Sequence, residues 1–115
     1  MKTTVVNIRR DTDWDVYIGR PGKGGTGCFG NPISFHEECP VCKEIHVDDE
    51  EGRLGLLACY KSWFWKEINS NPVFRIKVME LKGKKLGCFC KPRPCHGDII
   101  VEWIKAGCPI RAVQA

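Results

Sequence analysis

LGCFCKPRPCHGD, residues 86–98, contains the signals that decide the fold of this chain. Residues 86–90 read as a short strand of small and sulfur-bearing side chains, and the two prolines of KPRP end it. The residues from Cys95 onward read as a helix, because Asp98 favours the positive end of the helix dipole and Gly107 provides a stop signal. A strand, a short turn and a helix in succession indicate an α/β domain.

Two more strands and two more helices are predicted from the rest of the chain. TVVNI at residues 4–8 is β-branched, and DVYIG at residues 15–19 alternates in hydrophobicity as strands do. A helix is predicted over about residues 54–68, where apolar residues recur at helical spacing. Asn71 before a proline is a typical N-cap, so a second helix is expected through VFRIKVMEL and is stopped by Gly83. The apolar stripe of the first helix consists of Leu57, Tyr60, Phe64 and Ile68.

The length and composition of the chain fit one compact domain, and the order of its predicted elements fits an α/β fold. Its 115 residues, 43% of them hydrophobic, suffice for one compact core. Residues 1–115 are therefore expected to form a small single domain, with a short sheet, about three packed helices and a zinc knuckle inserted at residues 36–52. The 18 basic and 14 acidic residues give a net charge of +4, which permits contact with phosphates but is low for a protein that coats nucleic acid.

Whether the cysteines form disulfide bonds or stay reduced depends on the cellular compartment of the protein. No run of 18 uncharged apolar residues and no apolar secretory segment is visible, so we expect a cytoplasmic protein without a membrane partner. Cytosolic reductants keep thiols reduced. The eight cysteines therefore indicate metal ligation or thiol chemistry rather than disulfide bonds.

Cysteines and histidines with the spacing of a zinc site lie in and after residues 36–52. A CPVC turn presents two thiolates to one tetrahedral ion, and a closed site would supply folding free energy that so polar a segment cannot obtain by burial. The expected ligands are Cys39, Cys42, His46 and Cys59, with Cys28 or His36 as substitutes in the fourth position. A redox CxxC of the thioredoxin type and plain reduced surface cysteines are the competing interpretations. The redox motif is disfavoured because it normally opens a helix after a strand.

RPGKGGTGCFGNP, residues 20–32, is predicted to be a long loop with exposed backbone amides. Three of its glycines match the GxGxxG spacing, but no helix can follow them, so a dinucleotide-binding motif is not indicated. Successive amides of a glycine-rich loop can still form an anion nest, and Arg20 and Lys23 add positive charge beside it. We expect phosphate or a nucleotide as the guest, and a flexible surface loop is the alternative.

Three interpretations compete for the cysteines of LGCFCKPRPCHGD. Side chains two apart on a strand point the same way, so Cys88 and Cys90 share a face, whereas Cys95 and His96 stand at the start of a helix. A reactive site would use Cys95 as a thiolate, which a helix N-terminus favours, with His96 as proton carrier and Asp98 as orienting carboxylate. Residues two apart in a helix do not face each other, which weakens that relay. A second zinc bound by Cys88, Cys90, Cys95 and His96, or buried cysteines acting as small hydrophobes, are the other interpretations.

The chain resembles the small phage and prokaryotic proteins grouped as domain of unknown function 4326. The matching motifs are VVNIR at 5–9, DVYIGR at 15–20, GNP at 30–32, a helix with Tyr60, and LGCFCKPRPCHGD at 86–98. The resemblance covers almost the whole chain and implies that one site gathers Tyr17, Gly19, Arg20, Asn31, Cys88, Cys90, Cys95, His96 and Asp98. It implies no activity. It also implies that the CPVC knuckle is structural, since only some members carry it.

These observations predict a small enzyme that acts on a nucleotide or nucleobase-containing substrate in a prokaryotic or phage-infected cell. Arg20 and the loop amides would hold a phosphate, Asn31 would orient the base or sugar, and Cys95 with His96 would perform the chemistry. One alternative is a non-catalytic nucleotide-binding module, stabilised by zinc, that senses or sequesters its ligand. The other is a zinc-bearing nucleic-acid adaptor, which would show steeply salt-dependent affinity for DNA or RNA.

Overall fold

The computed structural model describes residues 2–10, 13–19, 29–88 and 93–110. Within these ranges the elements follow in the order β1 (Thr4–Asn7), β2 (Val16–Tyr17), α1 (Glu50–Ser70), α2 (Pro72–Met79), β3 (Lys85–Cys88) and α3 (His96–Lys105). The three strands form one sheet, and the three helices complete the α/β fold that the sequence predicted.

The sheet has β3 in the centre, with β1 and β2 parallel to it on either side. Strand β3 can occupy the centre because its residue Gly87 has no side chain. A Cβ at Gly87 would lie 2.5 Å from Cγ2 of Ile8 and 3.1 Å from the Trp14 ring, both in the connection between β1 and β2. Since all three strands run in the same direction, their carboxyl ends at Asn7, Tyr17 and Cys88 lie at one edge of the sheet.

Helix α1 begins at Glu50 rather than near Leu54, so the predicted boundary is wrong by one turn. Asp49 is the reason. Its Oδ1 accepts a hydrogen bond from the backbone N–H of Gly52 at 2.7 Å, and two glutamates in the first turn suit the helix dipole. The last three residues assigned to the knuckle insertion, 50–52, therefore belong to the helix.

The buried stripe of α1 is shifted by one residue at its start. Tyr60, Phe64 and Ile68 are fully buried as predicted, but the stripe begins with buried Leu56, and Leu57 is only half-buried. A spacing of four residues keeps these side chains on one face of the helix. The Phe64 ring contacts the Trp103 ring of α3 edge to face at 5.9 Å, which joins α1 to the last helix.

The remaining boundaries follow local signals. Asn71 is the N-cap of α2, as predicted, and its Oδ1 accepts from the N–H of Phe74 at 3.1 Å. The helix ends at Met79, two residues before the predicted end, and Gly83 follows with a φ of 79°. Strand β2 is shorter than residues 15–19, β3 begins one residue earlier than residue 86, and Phe89 and Cys90 lie outside the described residues.

Candidate functional site

Residues 36–47 form a small antiparallel hairpin that carries the CPVC turn at its tip. Glu38 and Ile45 pair as an isolated bridge. Cys39 donates its N–H to the carbonyl of Glu44 at 2.8 Å, and the N–H of Val41 points at Cys39 Sγ at 3.4 Å. These contacts fold the turn tightly around the sulfur of Cys39, as expected of a metal-binding knuckle.

The structure brings together the four residues predicted as metal ligands. Their ligand atoms, from Cys39, Cys42, His46 and Cys59, all lie within 4.8 Å of one another. Cys42 Sγ and His46 Nε2 are 3.6 Å apart. A tetrahedral zinc bonded at about 2.3 Å to sulfur and about 2.0 Å to nitrogen would separate those two atoms by about 3.5 Å. The arrangement therefore fits a metal ion, with three ligands from the hairpin and the fourth from α1.

Of the two alternatives for the fourth ligand, His36 is not part of the cluster. His36 is exposed, lies outside the cluster and adopts a φ of 65°. Its N–H donates to the carbonyl of His46 at 2.8 Å, so its part in the hairpin is a backbone one. Cys28 lies outside the described residues.

The thiols of this cluster differ in their tendency to ionise. Burial disfavours the thiolate of Cys39, but the backbone N–H groups of Cys42 and Val41 outweigh it, with help from His46 and Cys59, and lower the pKa to about 6. Burial and the neighbouring sulfurs of Cys42 and Cys39 raise the pKa of Cys59 to about 12. Negative charge is thus concentrated on Cys39, and a bound divalent cation would displace the proton from Cys59.

Lys43, directly after the CPVC turn, adopts a φ of 67°, a left-handed conformation that a side chain disfavours. We expect Lys43→Gly to raise the free energy of unfolding by about 0.5–1 kcal/mol, measured by denaturant unfolding of the metal-loaded protein. Lys43→Ala is the matched control. Both variants lose the contact between Lys43 Nζ and the carbonyl of Pro40 at 3.2 Å, but only glycine relieves the backbone. Equal stabilities of the two variants would contradict the prediction.

At the carboxyl edge of the sheet, the end of β3 meets the start of α3. Cys88 is the last residue of β3 and Cys95 is the N-cap of α3. Their sulfur atoms are 3.4 Å apart. Both residues are buried, with Cys88 1% exposed and Cys95 2% exposed. The structure therefore places two of the predicted site cysteines against each other beneath the helix N-terminus.

His96 anchors the first turn of α3 to the sheet. Its Nε2 lies 2.7 Å from the carbonyl oxygen of Ile18, the residue after β2, and because a carbonyl only accepts, Nε2 carries the proton and donates. The residue is 7% exposed. Its ring meets the ring of Tyr60 edge to face at 5.4 Å. The expected proton carrier is thus also a structural link between three elements.

Asp98 caps α3 instead of orienting His96. Its Oδ2 accepts a hydrogen bond from the backbone N–H of Cys95 at 3.0 Å. This contact fits the expectation that residues two apart in a helix do not face each other. The carboxylate stabilises the helix start on which Cys95 lies.

The other predicted ligand contacts have local structural partners. The phenol oxygen of Tyr17 lies where a Cβ of Gly19 would be, so a side chain at residue 19 would displace it. Asn31 Oδ1 accepts from the N–H of Ile33 at 2.8 Å, in a turn that buries Ile33. Arg20, Cys90 and the glycine loop through Cys28 lie outside the described residues.

A cleft of about 390 Å³ lies between the start of α1 and the segment that leads into Cys95. It is lined by Asp48, Asp49, Glu50, Arg53, Arg93 and Pro94. Arg53 forms an ion pair with Asp48 at 3.5 Å, and its guanidinium lies 5.5 Å from the Phe35 ring centre. Two guanidinium groups, those of Arg53 and Arg93, therefore line the cleft together with carboxylates that compete for them.

Comparison with known proteins places the chain in a family. A family model matches residues 3–106, nearly the whole chain. The chain belongs to the family described as Domain of unknown function (DUF4326). It is also 30% identical over 97 residues to a protein of Enterobacteria phage T4 named "Uncharacterized 12.4 kDa protein in nrdA-td intergenic region". The match covers 84% of this chain and 64% of the phage protein. No solved structure matches the chain.

The resemblance to DUF4326 that the motifs suggested is thus confirmed. Among the described residues of this DUF4326 protein, no helix is long and apolar enough to cross a membrane. Two of the segments that suggested this resemblance lie side by side, since Thr4–Asn7 and Lys85–Cys88 pair as β1 and β3, and His96 opens α3.

Tyr60 was predicted as part of the apolar stripe and was named with the family motifs, but it was not predicted as a site residue. Its Oη is the one buried side-chain nitrogen or oxygen in the described part of the chain without a hydrogen-bond partner. Burial raises the pKa of Tyr60 above its usual range, and the nearby sulfur of Cys95 adds to the shift. In the sequence, what sets Tyr60 apart is that it places a hydroxyl in a stripe whose other side chains are hydrocarbon.

Proposed function

We propose that this DUF4326 protein binds a nucleotide at the carboxyl edge of its sheet, and that a zinc ion in the knuckle stabilises the fold. One observation carries the proposal. Three parallel strands end where the N-terminus of a ten-residue helix begins, and Tyr17, Cys88, Cys95 and His96 lie at that junction. Ligands of open α/β sheets bind in such crevices, and helix N-termini favour phosphate.

The charge around the junction supports a phosphate-bearing ligand. Arg93 lies two residues before the N-cap of α3 and lines the cleft beside it. Arg20 and the amides of the glycine loop remain the expected phosphate contacts from the sequence. A cleft of about 390 Å³ is within the usual size range of small-molecule sites.

Binding is the better-supported function, and thiol chemistry at Cys95 is the second candidate. His96 Nε2 donates to Ile18, and Asp98 Oδ2 accepts from Cys95. Both groups expected to assist the thiol are thus engaged in holding the fold, which favours a module that senses or sequesters its ligand. The location of Cys95 at a helix N-terminus favours a reactive thiolate. For this reason an enzyme that uses the Cys95 thiolate is the second candidate.

Zinc is the metal that suits the knuckle best. Three thiols and one imidazole gathered in one cluster are a zinc ligand set, and carboxylate-preferring ions such as magnesium or calcium are disfavoured. Four protein ligands leave no position for a substrate. We therefore assign the ion a structural role, in which zinc would fix the hairpin to α1 through Cys59.

Binding is tested by calorimetric titration with the four ribonucleoside monophosphates and with inorganic phosphate at fixed salt. We expect one nucleotide to bind with 1:1 stoichiometry and more tightly than phosphate. Arg93→Ala should weaken nucleotide binding several-fold, since it removes a cation beside the helix N-terminus. Lys105→Ala, at the other end of α3, is the control and should bind as the parent does. Steeply salt-dependent binding of DNA or RNA without nucleotide binding would instead support the nucleic-acid adaptor.

The reactivity of Cys95 separates binding from catalysis. We expect iodoacetamide at neutral pH to modify Cys95 at less than about a tenth of the rate of half-buried Cys108, because a buried thiol reacts slowly. Peptide mass spectrometry over time gives both rates in one sample. Modification of Cys95 faster than of Cys108, and its suppression by saturating nucleotide, would replace the binding module with the enzyme.

A further inference from the structure

The exposed apolar side chains of this protein are concentrated in two segments. In the part of the chain that the structure describes, eight large apolar residues are exposed, and seven of them lie in residues 41–54 or 73–79. Those seven are Val41, Ile45, Val47 and Leu54 in the first segment and Val73, Ile76 and Met79 in the second. Single exposed apolar residues are ordinary, but groups of them mark surfaces that bind a partner.

The two segments carry opposite charge. Residues 36–54 contain seven of the fourteen acidic residues and two of the eighteen basic ones, so their formal charge is −5 and that of the rest of the chain is +9. Residues 72–85 contain five basic residues and one acidic residue, which gives a formal charge of +4. The molecule therefore has one surface that is apolar and acidic and another that is apolar and basic.

The acidic segment forms a cleft of about 350 Å³. Ile45 and Val47 of the hairpin line it together with Asp49 and Glu51 at the start of α1. Apolar and acidic side chains thus border the same space. Such a cleft suits a protein surface that presents apolar side chains next to a cation.

Helix α2 presents that combination. Val73, Ile76 and Met79 recur every three residues and are exposed, whereas the buried residues of the helix lie on its other side. We call these three residues the α2 stripe. Lys77, one turn after Val73, is also exposed. Helices that dock in grooves use apolar anchors at this kind of spacing, and methionine adapts well to such surfaces.

The α2 stripe cannot enter the cleft of its own chain. Phe74 packs α2 against the second half of α1, with its ring 5.7 Å from the ring of Trp63. The cleft lies at the start of α1 and extends to Gly55, and the eight residues from there to Trp63 span about 12 Å of helix. The stripe also points away from α1, because the buried side of α2 faces that helix. A second copy of the chain can bring its own stripe to the cleft.

We propose that the α2 stripe of one copy docks in the acidic cleft of a second copy, with Lys77 beside Asp49 and Glu51. Opposite charge selects this occupant, since the carboxylates attract a lysine and repel phosphates. An eight-residue helix makes a small interface, so the association is reversible and depends on concentration. The contact uses different surfaces of the two copies and does not depend on nucleotide binding.

Sedimentation velocity of the metal-loaded protein tests the contact through variants of each surface. The mass of the parent should rise with protein concentration, and association should weaken as salt rises from about 0.05 M to about 0.5 M. Ile76→Asp on the stripe and Val47→Asp in the cleft should each weaken self-association about tenfold or more. Ile110→Asp, at a similarly exposed isoleucine outside both segments, is the control and should associate as the parent does.

An equimolar mixture of the two weakened variants gives the sharpest result. Each variant has lost a different surface, so the mixture can form one intact contact and should yield a heterodimer at concentrations where each variant alone is monomeric. Circular dichroism and metal content establish that both are folded.

Three results would contradict the proposal. A parent that stays monomeric at low salt would overturn it and leave the two segments to other partners. Parent association that Ile76→Asp does not weaken, or a mixture of folded variants that stays monomeric, would place the interface elsewhere and overturn it as well.

Discussion

Replacing Cys39 and Cys42 together with alanine is expected to remove the metal from the protein and to lower its unfolding midpoint by roughly 10 °C or more. Residues 36–38 and 40–45 are exposed, and Cys39 is the one fully buried residue of the hairpin. The hairpin therefore has little apolar surface to bury. Structural zinc sites contribute about 10–16 kcal/mol in isolated fingers, and part of that energy would be lost here.

The damage should begin in the hairpin and spread into α1. Cys59 lies in the third turn of α1, so a metal ion bound by the four ligands would tie that helix to residues 39–46. Without the ion, the early turns of α1 keep the Asp49 cap and the ion pair between Arg53 and Asp48, which is partly exposed and weak. Hydrogen exchange should accordingly show lost protection in residues 36–58, while β1 and β3 remain protected.

Metal content by mass spectrometry and thermal unfolding by circular dichroism check this result, and two control variants accompany it. Cys108→Ala removes a half-buried cysteine that belongs to neither cysteine cluster, and it should keep one equivalent of metal. Cys88→Ala with Cys95→Ala should also keep it, although with lower stability because both side chains are buried. Loss of metal from this last variant, with retention in the Cys39/Cys42 variant, would make LGCFCKPRPCHGD the metal site.

Features that depend on residues close together in the sequence could be predicted, and the knuckle is the best example. A CxxC turn with a histidine four residues later closes on itself, so spacing alone identified Cys39, Cys42 and His46. The prediction of Asn71 as an N-cap is confirmed for the same reason. The Asp49 cap is equally local, but its acidic surroundings, DDEEG, read as part of a polar insertion, and the first turn of α1 was missed.

Features that depend on distant parts of the chain could not be predicted. The central location of β3 results from pairing with two strands about seventy to eighty residues earlier, which no spacing reveals. The bond from His96 to Ile18 joins residues 78 positions apart and changes the meaning of a histidine that seemed available for chemistry. The unpartnered Tyr60 hydroxyl is visible only once every neighbouring donor and acceptor is in place.

Replacing Gly97 with alanine is expected to lower the free energy of unfolding by about 1–3 kcal/mol and to disorder the sheet-edge site. The first turn of α3 packs directly on the sheet at this glycine. An added Cβ would lie 2.7 Å from Cδ1 of Ile18 and 3.0 and 3.1 Å from the two methyl groups of Val5. Ile18 is fully buried, so it has no free space to move into, and the helix must move away instead.

That movement should change the site as well as the stability. The bond between His96 and Ile18 is made by the same turn of α3, and lifting the turn lengthens it. Cys95, directly before this turn, should become more exposed, and its reaction with iodoacetamide should accelerate at least several-fold. Nucleotide affinity should fall in parallel, since the helix N-terminus would no longer lie at the ends of β2 and β3.

Gly107→Ala is the matched control at the other end of α3. A Cβ at Gly107 would meet nothing within 4 Å, but the φ of +94° there disfavours a side chain, so the variant should lose about 1 kcal/mol through the backbone alone. It should leave the reactivity of Cys95 and the nucleotide affinity unchanged. If Gly97→Ala lost stability without any change at Cys95, the first turn of α3 would not position the thiol. The proposed site would then have to lie elsewhere on the sheet edge.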